Sequence, residues 1–221
     1  MIKTIAYICS KAYFMNSKII LFFSLFLLFS CKKETEARKI EKEKEPVETI
    51  ETVASQPEEG FHFENFPIEK GQLGPIKVGT SLEDAEKHLK ELTRKRCDPF
   101  DFGYDGGGDA YIYYWKDQPI VALVPERDSN TLLAIAALHK KLKTDKGLHP
   151  EATIKDILQL YGDLPIHQNL MMSWEFMHDE KTDWEFVFMK DPEHQVGTYE
   201  NTDSPGKVTD TNAKIDWITI R

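Results

Sequence analysis

Cysteine is scarce in this sequence, and its scarcity limits how the fold can be stabilised. The 221 residues include three cysteines, Cys9, Cys31 and Cys97, of which the first two lie on either side of an apolar segment near the amino terminus. Cys97 therefore has no partner for a disulfide in the rest of the chain, and an apolar core must hold the fold. No histidine near it in sequence could act as a base, so we expect a buried or half-buried thiol.

A hydrophobic run long enough to span a bilayer is also missing. The run Ile19–Phe29 has 11 residues, whereas a membrane-spanning helix needs about 20. Lys18 precedes the run, and the small residue Ser30 separates it from Cys31, which is typical of a secretory signal peptide. A start at Met15 would give a compact signal of ordinary form. We therefore expect translation to begin at Met15 rather than at Met1.

The residues Leu28-Phe-Ser-Cys31 at the end of this run resemble the lipobox of bacterial lipoproteins. In that family the cysteine thiol carries a diacylglycerol, the chain is cut before the cysteine, and the new amino terminus is usually acylated. The resemblance implies that residues 1–30 are removed and that Cys31 is the lipidation site. Two or three acyl chains would hold the protein on a membrane essentially permanently. The implied location is the outer membrane of a bacterial cell envelope, facing the periplasm or the cell surface.

Basic residues are outnumbered by acidic residues in the rest of the chain. From Cys31 onward there are 25 basic and 37 acidic residues, a net charge of −12. Because nucleic acids and anionic membrane surfaces both require a basic surface, no nucleic-acid partner is expected. Residues 32–60 hold six basic and nine acidic residues and no aromatic residue. Residues 31–60 are thus predicted to be a lipidated, disordered tether, either a plain spacer or a signal for export to the cell surface.

Two related phrases predict two helices in the remaining residues, 61–221. Ser81 is a good helix N-cap with Asp84 three residues later, and apolar residues follow at helical spacing. Seventy-two residues further on, Thr153-Ile-Lys-Asp-Ile157 matches Ser81-Leu-Glu-Asp-Ala85. Gly162 is expected to end the second helix.

Three aromatic or β-branched segments follow each predicted helix, as expected for strands. They are residues 110–115, 120–124 and 131–141, and then residues 170–178, 184–190 and 213–220. The recurrence predicts an α+β domain in which two helices pack on an antiparallel sheet. It also predicts an internal duplication of an α-β-β-β unit, with repeats at 73–145 and 146–221.

The phrase Ile76-Lys-Val-Gly-Thr-Ser-Leu-Glu-Asp-Ala85 resembles the strand, glycine, polar cap and helix of small envelope lipoproteins of the BamE type. The duplicated helix and antiparallel sheet are similar to β-lactamase-inhibitor-like proteins. Both families are protein-binding modules rather than enzymes. The resemblance implies a non-enzymatic module for a protein partner in the cell envelope, and it transfers no site residues.

Aromatic side chains are the candidates for a ligand or partner surface. Tyr111, Tyr113, Trp115, Trp174 and Trp184 are the residues concerned. If residues 179–183 form the turn of a hairpin, a period of two puts Trp174, Phe176, Trp184, Phe186 and Phe188 on one face. Such a face is first of all a core under the helices. The alternative is an exposed platform that binds a small molecule or a glycan.

Motifs for catalysis or metal binding are absent from the sequence. The seven histidines form no HExxH pattern and no cysteine–histidine cluster, and no nucleophile elbow occurs, so neither an enzyme nor a cofactor is expected. Asp105-Gly-Gly-Gly-Asp109 lacks the following lysine of a phosphate loop and is predicted to be a flexible connection. The alternative that stays open is a hydrolase whose unrecognised site contains Asp101, Asp105 and Asp109 in a cleft.

Overall fold

The computed structural model describes residues 60–189, 194–202 and 204–221. The predicted signal peptide, the start at Met15, Cys31 and the tether up to residue 59 lie outside the described residues. Gly60–Arg221 form one structural unit. None of the helices in the described residues has the length and hydropathy needed to traverse a bilayer.

The described residues form strands and helices that are numbered along the chain. The strands are β1 Ile68–Glu69, β2 Gln72–Leu73, β3 Ile76–Lys77, β4 Thr93–Cys97, β5 Ala110–Trp115, β6 Gln118–Pro125, β7 Leu132–Ala137, β8 Ile166–Asn169, β9 Trp174–Asp179, β10 Trp184–Met189, β11 Gly197–Thr198, β12 Lys207–Val208 and β13 Trp217–Ile220. The α-helices are α1 Leu82–Glu86 and α2 Ile154–Tyr161.

An antiparallel sheet of eight strands organises the described part of the chain, in the order β4-β5-β6-β7-β13-β10-β9-β8. Strands β1, β2 and β3 form a separate three-stranded sheet, and β11 pairs with β12. Helix α1 precedes β4 to β7, and α2 precedes β8, β9, β10 and β13. The two groups meet where β7 pairs with β13, with Ala137 opposite Ile218. The predicted α+β fold of two helices and an antiparallel sheet is confirmed. Each repeated unit, however, contains four sheet strands rather than three.

Both helices begin at the predicted caps. The Ser81 side chain accepts a hydrogen bond from the Asp84 amide, and Thr153 and Asp156 cap each other's backbone amides reciprocally. Such caps satisfy amides that have no partner inside the helix. Helix α2 ends at Gly162, as predicted. Helix α1 is shorter than the apolar spacing suggested, because the chain after it tightens into turns with bonds between residues three apart.

The helices cover one face of the sheet and form the main core with it. Ile154 and Ile157 of α2 are fully buried against this face, together with Phe186, Phe188 and Ile218. Burying such side chains stabilises a fold by roughly 2 kcal/mol each. We call this side of the sheet the helix face and the opposite side the second face.

The predicted single aromatic face of the β9–β10 hairpin is wrong. Asp179 pairs with Trp184, so the turn has four residues, 180–183, rather than five. That change moves each β9 side chain to the opposite face of the sheet relative to the β10 side chains, because side chains alternate along a strand. Trp184, Phe186 and Phe188 therefore lie on the helix face with Glu175, whereas Trp174 and Phe176 lie on the second face.

The connection between β4 and β5 covers part of the second face. Phe102 packs edge-to-face on Trp217, with ring centroids 5.7 Å apart, and Trp217 in turn packs edge-to-face on Trp174 at 5.1 Å. Gly103 has a φ of 90°, and an added Cβ would lie 3.0 Å from the Trp174 ring. A glycine is needed here both for its backbone conformation and for this close approach.

Candidate functional site

Strand β4 forms one outer edge of the eight-stranded sheet and carries a run of basic residues. Its sequence is Thr-Arg-Lys-Arg-Cys, and Thr93 to Arg96 are all exposed while Cys97 is buried, as expected for this thiol. Five consecutive residue pairs join β4 to β5 without a register shift. Among the described residues, the backbone hydrogen bonds of Thr93 to Arg96 are made with β5. The other side of β4 is thus an exposed strand edge from Thr93 to Arg96.

The Arg94 guanidinium is held in place on the helix face. Its Cζ atom lies 3.7 Å from the centroid of the Tyr111 ring, and its Nη1 atom donates to Oε1 of Glu86 at 2.8 Å. The Tyr113 hydroxyl donates to the same oxygen at 2.6 Å. Burial, together with the Glu86 carboxylate, raises the pKa of Tyr113, so this hydroxyl keeps its proton and continues to donate. Stacking and hydrogen bonding together fix the direction of the guanidinium.

The other two cations of β4 are placed on alternate faces. Nη2 of Arg96 lies 2.6 Å from Oδ1 of Asp109, although 73% of the Arg96 side chain is exposed. Lys95 points to the second face, where its Nζ atom lies 4.4 Å from the centroid of the Tyr114 ring. Positive charge therefore appears on both sides of the edge strand.

A shallow groove of about 350 Å³ lies beside the residues that lead into β4. Its lining includes buried Phe61 and Phe66 and the basic side chains of Lys87, His88 and Lys90. Residues 87–96 contain five lysines or arginines, one histidine and one acid. In a chain with a net charge of −9, this is a local reversal of sign. We call β4 together with residues 87–91 the basic edge.

The opposite outer edge of the sheet, at β8, is covered. The backbone amide of Gly206 donates to the Ile166 carbonyl at 2.7 Å, and Gln168 Nε2 donates to the Thr202 carbonyl at 3.4 Å. Residues 196–202 and 204–208, which include β11 and β12, run along this edge, and we call them the covering segment. Because the covering segment occupies part of the β8 edge, that edge is less available to another chain.

A buried carboxylate fixes the covering segment. Glu175 of β9 is fully buried and accepts hydrogen bonds from the amides of Val196 and Gly197 at 2.6 and 2.8 Å. It accepts a third from the Tyr199 hydroxyl at 2.7 Å. Burial first, and the Glu175 carboxylate second, raise the pKa of Tyr199. Three donors on one buried carboxylate satisfy the charge that burial would otherwise make costly.

The five aromatic residues predicted as a ligand or partner surface do not form one surface. Tyr113, Trp174 and Trp184 are buried, and Tyr111 and Trp115 are partly buried. Trp174 lies on the second face, whereas the other four lie on or against the helix-face core. The Trp184 indole donates to the Glu69 carbonyl at 3.3 Å. Tyr111 and Tyr113 still contribute to the basic edge, because they hold Arg94 and its partner Glu86.

The three acids of the alternative hydrolase site take separate places. Asp101 lies in a 3₁₀ turn, Pro99–Phe102, where burial, and then the charge of Asp98, raise its pKa to about 6. Asp109 pairs with Arg96, and Asp105 lies on the exposed glycine-rich connection. Within the ranges that the structure describes, no three acid, histidine or cysteine side chains are grouped to hold a metal ion.

Comparison with solved structures shows a protein of similar fold. No protein-family model matches the chain, and no curated protein sequence matches it. The crystal structure of the uncharacterized protein yfeY from Escherichia coli is similar, with a TM-score of 0.50 and 15% sequence identity. The similarity covers 70% of this chain and 99% of that chain. At this identity the likeness concerns the fold alone.

Proposed function

We propose that this protein is a lipid-anchored component of the bacterial cell envelope whose folded part is a non-enzymatic module that binds a protein partner. The lipobox-like sequence at Cys31 supports the anchor. The basic edge supports the binding role and is the observation that carries it: an exposed strand edge with preorganised cations in a chain of opposite net charge. Exposed sheet edges are recognised by other proteins through backbone hydrogen bonds.

The placement of the aromatic residues favours a protein partner over a small molecule or a glycan. A stacking platform requires exposed rings, and Tyr113, Trp174 and Trp184 are all buried. The charged residues of β4, in contrast, are exposed. Exposed charges of one sign increase the rate and the specificity of association with a partner of opposite sign.

The binding role can be tested by affinity capture with the full-length chain, tagged at its carboxyl terminus, from detergent-solubilised envelopes of cells that make it. The test variant is Lys95→Gln with Arg96→Gln, and the matched control is Lys155→Gln with Lys214→Gln, which removes the same charge from exposed sites outside the basic edge. We expect a near-stoichiometric protein that is retained by the natural chain and the control and is lost with the test variant. Equal capture by all three chains, or no partner, would contradict the proposal.

The anchor has an independent test in metabolic labelling with a fatty-acid analogue. Cys31→Ala removes the thiol that the lipobox resemblance assigns to the lipid. We expect the natural chain to be labelled and the variant to be unlabelled. Continued labelling of the variant would show that Cys31 is not the lipidation site.

A further inference from the structure

The outer side of β4 offers what an additional strand requires. Alternate residues of an edge strand direct their amides and carbonyls away from the sheet, where they are available to another extended chain. β4 is five residues long and joins β5 in a regular register, so its outer side continues the geometry of the sheet. Its first four residues are exposed, and nothing comparable to the covering segment at β8 is bonded to them among the described residues.

Charge determines which kind of strand can add there. A second copy of β4 would place Arg94, Lys95 and Arg96 beside cations of the same sign, and like charges on neighbouring strands are destabilising. Positive side chains on an edge thus protect it against pairing with itself. The same side chains favour a strand that carries carboxylates. This combination of repulsion and attraction is what selects one class of partner over another.

The cations are also held in position before a partner arrives. Arg94 is fixed by Glu86 and the Tyr111 ring, and Arg96 is paired with Asp109. Ordering long side chains at the moment of binding costs free energy, so cations that are already ordered reduce that cost. Because Arg94 and Arg96 lie on the helix face and Lys95 on the second face, an added strand would meet positive charge on both of its faces.

We propose that β4 binds an extended, acidic segment of the partner protein as a ninth strand of the sheet. This inference rests on the proposed protein-binding function and specifies the chemistry of its partner. The segment is about five residues long, the length of β4, and has acidic side chains at successive positions opposite Arg94, Lys95 and Arg96. Backbone hydrogen bonds supply the geometry of the complex, and the charges supply the selectivity.

Synthetic eight-residue peptides of defined sequence test the mode of binding with the full-length chain. One peptide has four successive glutamates between two pairs of valines, a second has lysines in place of the glutamates, and a third keeps the four glutamates of the first but has proline in place of the two valines that flank them. Proline lacks the amide that a sheet requires, so the third peptide has the charge without the ability to form a strand. We expect the first peptide to bind at least tenfold more tightly than the other two, and its affinity to fall as salt is raised.

Hydrogen exchange and the paired variants complete the test. Binding of the glutamate–valine peptide is expected to slow exchange of the Thr93–Cys97 amides and to leave β8 unchanged. Lys95→Gln with Arg96→Gln is expected to lower the affinity for this peptide at least tenfold. Lys155→Gln with Lys214→Gln is expected to lower it less than twofold. If the proline peptide bound as tightly as the glutamate–valine peptide, strand addition would be overturned and charge attraction would be the remaining explanation of binding.

The two proposals fail in different ways. If a captured partner depends on Lys95 and Arg96 but the glutamate–valine peptide neither binds nor protects β4, strand addition is overturned while the binding function stands. If the envelope yields no partner that depends on these residues, the binding function itself is overturned. Thermal unfolding of each variant, expected to match that of the natural chain, excludes misfolding as the cause of a loss.

Discussion

The two outer strands of the sheet occupy equivalent positions in the two halves of the molecule but have opposite surroundings. β4 follows helix α1 and is exposed and basic, whereas β8 follows helix α2 and is covered by the covering segment. The second half uses additional residues after β10 to close its edge, and Glu175 fixes them there. One edge thus contributes to stability and solubility, while the other remains available to a partner.

Replacing Glu175 by alanine is expected to have the largest effect on this difference. The change leaves the Val196 and Gly197 amides and the Tyr199 hydroxyl without their acceptor in a buried site. We expect the free energy of unfolding in urea to fall by about 3 kcal/mol. Exchange of the Gly206 amide, which donates to the Ile166 carbonyl, should become faster, so that the β8 edge resembles the β4 edge.

Glu175→Gln is the matched control for this change. It keeps a carbonyl acceptor in nearly the same volume, so a smaller loss of about 1 kcal/mol is expected. If Glu175→Ala left exchange of the Gly206 amide unchanged, the carboxylate would not be what fixes the covering segment.

Gly197→Ala adds a methyl group that tests the packing of the covering segment, and its expected effect on stability is smaller than that of Glu175→Ala. An added Cβ would lie 2.7 Å from Cγ2 of Ile166 and 3.0 Å from the Tyr199 hydroxyl oxygen. Overpacking of this kind costs about 1–2 kcal/mol in the free energy of unfolding. Gly106→Ala is the control in the other half, since nothing lies within 4 Å of an added Cβ there. Equal stability of the two variants would show that β8 and the covering segment can separate without cost.

The smallest expected effect depends on pH. Burial raises the pKa of Asp216, beside β13, to about 6, although its carboxylate accepts a hydrogen bond from the Met189 amide. Because the unfolded chain releases this proton at about pH 4, the group lowers stability as the pH rises from about 4 to about 6. Asp216→Asn should thus raise the free energy of unfolding by ~1 kcal/mol at pH 7 and leave it unchanged at pH 3.

Asp101 in the first half gives the comparison for Asp216. Its pKa is also raised to about 6, but the residue lies on a surface turn and is half-buried. We expect Asp101→Asn to change stability in the same direction and by less. Urea titrations of both variants at pH 3 and pH 7 measure the two differences, and a larger gain from Asp101→Asn would contradict this ranking.

Local signals predicted the parts of the fold that local chemistry determines. Ser81 and Thr153 cap the two helices, and the aromatic segment Ala110–Trp115 is a strand with the predicted ends. These features depend on residues a few positions apart, so a single sequence contains the necessary information. The matching phrases around Ser81 and Thr153 also indicated the repeated arrangement of helix and sheet.

The candidate site was missed because edge strands lack the pattern of buried strands. β4 has one buried side chain among five, and β8 has one among four, so neither shows the alternation that predicts a strand. The available signal was the charge of residues 87–96 in an acidic chain. The faces of β9 were assigned wrongly because a turn of four residues, rather than five, exchanges the two faces of β9 relative to β10. The sequence of residues 180–183 does not indicate how long their turn is.

The central pairing of β7 with β13 has a consequence for how the chain folds. Within each half, paired residues of neighbouring strands lie at most 36 positions apart and can pair early, but Ala137 pairs with Ile218, which lies 81 residues later. Contacts between distant residues form slowly, because a long loop must close before they stabilise anything. Pairing of β7 with β13 is therefore expected to limit the folding rate. Until it forms, β7 and β13 each have an unpaired edge, in addition to the outer strands β4 and β8, and chains could aggregate through these edges.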